Sequence, residues 1–401
     1  MPNDCVVNVT QAHVSEGPQS PSASLPREGK EVRDVDQPED EQLSPPQFRT
    51  HQMERKTIYH ILGWKEAGKR PEWASITYLN FTTKVHWAQG DSLAVKEGVL
   101  YHWWELTKLG KVTWQLVLPK GLSTNVLKQL YDSPVGGHLG VCKTLAKVSE
   151  RFYWIHCHCD IEEWCRRCNL FDTRKGPRVK QRSPVQLYNV GEPMECVAID
   201  VLGPRPETDQ GNKYILIAMD YFSKWPEAYA LPNQEVVTVA DVLVSQFFSW
   251  FGVPGELHSD QGQNFESSVF QEVRTLLRTH KTRTMALHPK SNGMVERYNR
   301  TIEAQLTTFV QDHQRDWDRH LPLLLMSYCS AVHETTKFTL AMLMFGRELH
   351  VPLDLLIGCP QEEPEDRGYP EYVERLRESV ETVHNFARVH QQAGTLRMKR
   401  R

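Results

Sequence analysis

The chain has 401 residues, 40% hydrophobic and 24% charged, enough for roughly two to three domains with a buried core. No stretch approaches the roughly 20 consecutive apolar residues of a membrane span, and Met1-Pro2-Asn3-Asp4 lacks the basic and apolar blocks of a secretory signal. Nine cysteines, sparse and odd in number, argue for a reducing compartment rather than a disulfide scaffold. The net charge of −3 conceals an asymmetry. Residues 1–50 carry −5, 51–190 carry +9, 191–350 carry −6 and 351–401 carry −1. The basic segment suits phosphate backbone, or is a solvated face with no partner. The acidic segment suits DNA only where metal ions offset its charge.

Residues 1–50 hold seven Pro, five Ser and one aromatic. Too little apolar surface is available to offset ordering, so a disordered head is expected. Residues 51–118 become rich in Trp, Tyr and apolar side chains and are expected to form a small β-rich extension. Ser92 to Trp104 reads as a hairpin turning at Lys96-Glu97-Gly98, with Trp114–Leu118 as its third strand. Within 119–173, Leu122–Leu130 and Cys142–Phe152 have helical periodicity. Residues 174–190 read as a basic linker carrying Arg174, Lys175, Arg178 and Lys180. Residues 191–350 read as α/β. Strands are expected at Cys196–Asp200, Tyr214–Met219, Trp225–Leu231, Glu256–His258 and Thr282–Leu287. Helices are expected at Thr238–Trp250, Ser267–Leu277 and Asn292–Gln311, the last capped by Ser291. Three strands, then alternation, then helices suggest a mixed sheet flanked by helices. A linker and an amphipathic helix from Tyr372 to about Gln392 fill 351–401.

Three acids stand out. Asp200 ends the first core strand, Asp260 ends another, and Glu296 lies in the first turns of the long helix after 35 intervening residues. Acids at strand ends of open α/β sheets are where functional groups gather. Three carboxylates are a minimum for holding two Mg²⁺ ions about 4 Å apart for phosphoryl transfer. Singly, each acid reads as a surface charge or turn cap; the three together do not.

The segments DVLGPRPETDQGNKYILIAMDYFSKWPEAYALPNQ, FGVPGELHSDQGQNFES, KTRTMALHPKSNGMVERYNRTIE and AMLMFGREL resemble the integrase region of Gypsy-type LTR-retrotransposon polyproteins. The resemblance runs from about Trp64 to the C-terminus. It implies an RNase H-like core, Mg²⁺ or Mn²⁺, and DNA as substrate. Water would first cleave near the element's 3′ ends, and the freed 3′-hydroxyls would then attack target phosphodiesters. By the same resemblance Asp200, Asp260 and Glu296 are the metal ligands, and Lys290 contacts phosphate. Asn292, Asn299 and Arg300 share the face of Glu296 and support the site or touch DNA. Homo-oligomeric assembly and a nuclear location follow from the family, with the cytoplasm as the other location.

YDSPVGGHLGVCKTLAKVSERFYW followed by IEEWCRRCNLFDTRKGP resembles the family's N-terminal zinc-binding module, in which two His and a Cys-x-x-Cys pair build a tetrahedral site. His138 matches the second His and Cys168 the first Cys. Tyr131 and Phe171 stand at the other two places. Loss of Zn²⁺ is expected. A rearranged site from His138, Cys165, Cys168 and one of His156–Cys159 is the alternative. Against the family, Cys329 replaces a usual Arg and Lys337 a usual Gly. The chain also stops before the family's C-terminal domain. Three functions stay open: a competent integrase-like transferase, a non-catalytic DNA-binding protein derived from one, and an RNase H-like nuclease.

Overall fold

A computed structural model of the chain describes residues 45–106, 111–168, 190–259, 280–283, 293–310, 314–357 and 369–399. The head up to residue 44, the basic linker, the expected helix Ser267–Leu277 and the cap Ser291 lie outside the described residues.

The expected head ends earlier than residue 50. Pro45–Glu54 forms helix α1, with Phe48 almost fully buried. The reason is long-range. Gln52 donates to the Leu100 and Val117 carbonyls at 3.1 and 2.7 Å and accepts from the Leu100 amide at 2.8 Å. A buried amide satisfied on both sides fixes α1 on the strands that follow. Nor is the extension mainly β. Helices α2 (Lys56–Glu66) and α3 (Phe81–Ala88) precede the hairpin β1 (Leu93–Lys96) and β2 (Val99–Leu106). Asn80 caps α3 by accepting from the Thr83 amide at 2.8 Å. The apolar face of α2, Ile58, Ile61 and Leu62, is buried against Leu93, Leu100 and Val117. The hairpin turns at Glu97 and Gly98, both at positive φ, as the sequence suggested. Strand β3 (Lys111–Val117) pairs antiparallel with β2.

The next segment shares this body. Helix α4 (Ser123–Leu127) widens into a further turn to Asp132. Helix α5 (Val141–Ser149), strand β4 (Phe152–Tyr153) and helix α6 (Cys157–Arg167) follow. β4 pairs parallel with β3, so the sheet runs β1-β2-β3-β4. One apolar cluster joins Phe48, Val99 and Leu116 to Val148, Phe152 and Ile161. The boundary expected at 118/119 therefore divides no core.

The second sheet contains β5 (Cys196–Leu202), β6 (Tyr214–Asp220), β7 (Pro226–Leu231), β8 (Glu256–Ser259) and β9 (His280–Arg283). Its order is β7-β6-β5-β8-β9. β5, β6 and β7 form an antiparallel meander; β8 and β9 run parallel to β5. This is a mixed α/β sheet of the RNase H-like kind. Alternation along β5 separates two cores. Cys196 and Ala198 face α8 (Gly293–Phe309) and α9 (Trp317–Cys329). Val197 and Ile199 face α7, which starts at Val236 and runs on to Phe251. Helices α10 (Leu340–Phe345), α11 (Pro352–Ile357) and α12 (Tyr369–Lys399) complete the chain. The expected terminal helix is present and longer, and Val383 and Ala387 pack against Phe222, Phe338 and Leu343.

Candidate active site

Strand alternation places Asp200 on the face of β5 that looks toward α8. Its Oδ1 accepts from the Val201 amide at 2.9 Å, and its Oδ2 accepts from Asn299 Nδ2 at 2.8 Å. The second bond crosses from sheet to helix. Val295, Tyr298, Ile302 and Leu306 are buried in the α8 core face, and this packing fixes the rotation of α8 that aims Asn299 at the strand. Glu296 lies three residues earlier in the first turn, exposed to solvent. Residues three apart on a helix are neighbours, so Glu296 and Asn299 border the same opening. Asn299 Oδ1 is buried with no hydrogen-bond partner, an orphaned acceptor beside two carboxylates.

Asp260 lies outside the described residues, as do Lys290, Asn292, Arg174, Lys175, Arg178 and Lys180. Ser259, the residue before Asp260, pairs in register with Ile199, the residue before Asp200. Arg300 is exposed one turn beyond Glu296. His258 is fully buried, and burial lowers its pKa. A neutral ring with no access to solvent suits packing, not proton transfer.

The donor chemistry fits a hard divalent cation. Asp200 offers carboxylate oxygens oriented by the Val201 and Asn299 N–H groups, and Glu296 supplies a further carboxylate. The zinc-type module is different. His138 Nδ1 and Cys168 Sγ stand 3.5 Å apart, so two of the family's four positions meet. Tyr131, at a third position, is fully buried and edge-on to His138 at 4.9 Å. Its hydroxyl lies against the Cys165 and Cys168 thiols, and burial pushes its pKa far up. A neutral phenol filling that volume does not replace imidazole as a zinc ligand. Of the alternative set, Cys165 stands with Cys168 at the Tyr131 hydroxyl, while His156 stacks on Phe81 at 6.1 Å. Among the described residues no group of three or more His, Cys, Asp or Glu gathers to hold a metal. With Tyr131 at one of the four family positions, the family's own zinc donor set is incomplete.

Sequence reasoning missed how this module is fixed to the core. Gln305 of α8 donates to the Gly137 carbonyl at 3.0 Å. Buried Lys147 of α5 donates to the Val135 carbonyl at 3.2 Å and to Ser327 Oγ of α9 at 3.5 Å. Arg151 holds the Asp354 carboxylate at α11 through two nitrogens, one bond being 2.9 Å. Gly137 has φ +71°, and a Cβ there would lie 2.1 Å from Ser327 Oγ. The adjacent Gly136-Gly137 pair was the available signal of close backbone approach.

Two segments of the chain are similar to integrase domains. Residues 191–289 match the family described as Integrase core domain, and residues 118–177 match Integrase zinc binding domain. Its relatives include the Retrovirus-related Pol polyprotein from transposon 412 of Drosophila melanogaster, 27% identical over 57% of this chain and 18% of that protein. Gypsy retrotransposon integrase-like protein 1 of Mus musculus is 26% identical over 65% of this chain and 49% of that protein. The chain thus spans under a fifth of the first and about half of the second. The catalytic core domain of BIV integrase is 23% identical over 38% of this chain and 95% of that one, at a TM-score of 0.32. The fold assignment rests on strand order, not on that superposition.

Proposed function

We propose that this chain is a divalent-metal-dependent polynucleotidyl transferase that processes DNA 3′ ends and joins them to a target strand. The observation that carries this reading is the Asn299–Asp200 bond across β5 and α8, with Glu296 one turn away. Asp200, Asp260 and Glu296 would hold Mg²⁺ or Mn²⁺, which supplies an activated oxygen nucleophile and neutralises charge on the scissile phosphate. Asn299 orients the Asp200 carboxylate, as outer-shell amides do for metal-binding acids. No protein nucleophile is needed, and His258 takes no proton. Arg300, Lys290, Asn292 and the linker cations Arg174, Lys175, Arg178 and Lys180 position DNA by its phosphates. Helix α7 leaves Val237, Val244 and Trp250 exposed, which supports assembly of several copies. A nuclear location follows from a DNA substrate. Among the described residues no helix is long and apolar enough to cross a membrane.

The deciding experiment incubates the full chain with duplexes carrying its element's end sequence in Mg²⁺ or Mn²⁺. Nicking and strand transfer are expected, and Asp200→Asn, Asp260→Asn or Glu296→Gln should each abolish both. The altered zinc donor set favours a second reading, a DNA-binding protein without catalysis. Salt-dependent DNA binding with no product under either metal would select it.

A further inference from the structure

Helix α6 ends in two thiols. Cys165 lies in its last turn, and Cys168 is the first residue past it, extended at φ −74° and ψ 103°. Cys165 is 1% exposed and belongs to the apolar cluster of the N-terminal body. Cys168 packs against the same cluster but keeps a side open to solvent. Its Sγ lies 3.5 Å from His138 Nδ1. The Tyr131 ring stands edge-on to His138 at 4.9 Å, and its hydroxyl lies against both sulfurs. Two thiols, an imidazole and a phenol thus share one place.

The backbone allows the two sulfurs to join. Helix geometry sets residues three apart at about 5 Å between Cα atoms, inside the roughly 4.4–6.8 Å range of a disulfide. On a regular helix their Cβ atoms are about 5–6 Å apart, more than the roughly 3.5–4.5 Å that the bond needs. The difference falls on Cys168, which stands outside the regular helix and can turn toward Cys165 without breaking it. Other cysteines among the described residues are not so placed. Cys142, Cys196 and Cys329 lie on α5, β5 and α9. Cys157 and Cys159 are two apart on α6, a spacing at which side chains do not face each other.

We infer that Cys165 and Cys168 form a redox site, closed to a disulfide by a hydroperoxide and reopened by a thiol reductant. The Cys168 sulfur, reached from solvent and fixed by its contact with His138, attacks one peroxide oxygen. The O–O bond breaks, the leaving hydroxide takes the thiol proton and departs as water, and Cys168 becomes a sulfenic acid. The buried Cys165 sulfur then attacks the Cys168 sulfur. The S–O bond breaks, and a second water leaves with the Cys165 proton. The two thiols lose two electrons and two protons, and hydrogen peroxide is reduced to two waters. The site needs no nucleic acid, so it does not rest on the function proposed above.

The test treats the reduced full chain with hydrogen peroxide and alkylates the thiols that remain. A protease that spares Arg166 and Arg167 then gives peptides for mass measurement. The peptide holding Cys165 and Cys168 should lose two hydrogens and both labels before the exposed Cys142 loses its own, and dithiothreitol should restore both. In Cys165→Ser the oxidation should stop at Cys168 as a sulfenic acid, trapped by a cyclic 1,3-diketone. In Cys168→Ser, Cys165 should keep its label. Melting temperatures show that each variant is folded, and the unsubstituted chain decides the pairing even where a variant is not. Labels lost from Cys165 and Cys168 no sooner than from Cys142, or a sulfenic acid trapped at Cys165, overturns the site. Protection of both thiols that a chelator removes also overturns it, because a metal then holds them.

Discussion

Asn299 reaches Asp200 from the facing helix and holds Oδ2, while the strand's own Val201 amide holds Oδ1. Held from both elements, the carboxylate has a set orientation. Asn299→Ala removes the bond to Oδ2 and leaves the carboxylate in place. Strand transfer should fall about 10- to 100-fold, the usual effect of losing an outer-shell partner, with the melting temperature nearly unchanged. A titration of nicking against Mg²⁺ should then require more metal. The identity of these residues was legible in the sequence, because Asn299 lies at i+3 from Glu296 and shares its face. The bond to Asp200 was not legible, since it joins residues 99 apart in the chain. Tyr131 shows the opposite limit. Its substitution for a zinc ligand was visible as a letter, but its burial against two thiols follows only from packing. Native mass measurement of the full chain should give substoichiometric zinc, and chelator should leave its melting temperature unchanged. One tightly held zinc per chain would refute this.

At the scale of elements, periodicity located most of the core strands and the long helices, because each buries one face. It failed for α1 and for the extension's helices. Helix α1 carries few apolar residues and is held by Gln52, whose partners lie 48 and 65 residues away. The contacts that fix α5 to α9 were equally hidden, because they are polar and long-range. Lys147 makes them testable. Burial lowers its pKa to about 7, against an ordinary value near 10.4 in the unfolded chain. Below about pH 7 the folded state carries a buried charge. Above it the folded lysine is neutral while the unfolded one stays protonated, so this site's contribution to stability rises with pH. The melting temperature of Lys147→Met relative to wild type should therefore fall steadily from pH 6 to pH 9. Gly137→Ala should destabilise by about 1–3 kcal/mol, from a positive φ and a clash with Ser327. Denaturant unfolding measures it.

At the scale of the molecule, the zinc-type module, the extension and the RNase H-like core are joined by buried contacts rather than strung together. Helix α12 belongs to the same body. Val383 and Ala387 are buried against the chain's own Phe222, Phe338 and Leu343. Val383→Asp puts an unpaired carboxylate into that contact. It should cost about 3 kcal/mol or more, read as a lower melting temperature and as exposure of α12 to protease. The fold class was readable from the order of the elements. The joining of parts was not, because it depends on where distant polar groups meet.

The Arg151–Asp354 bond spans 203 residues, and this bears on synthesis. At about 5–20 residues per second, the partner of Arg151 leaves the ribosome about 10–40 s after Arg151 itself. Through most of that interval α5 has emerged while α9 and α11 have not. The N-terminal sheet can close at once, but its anchor to the core forms last. A chain released before α8 would present the Gly137, Lys147 and Arg151 surface with nothing opposite it, and is a natural substrate for chaperones.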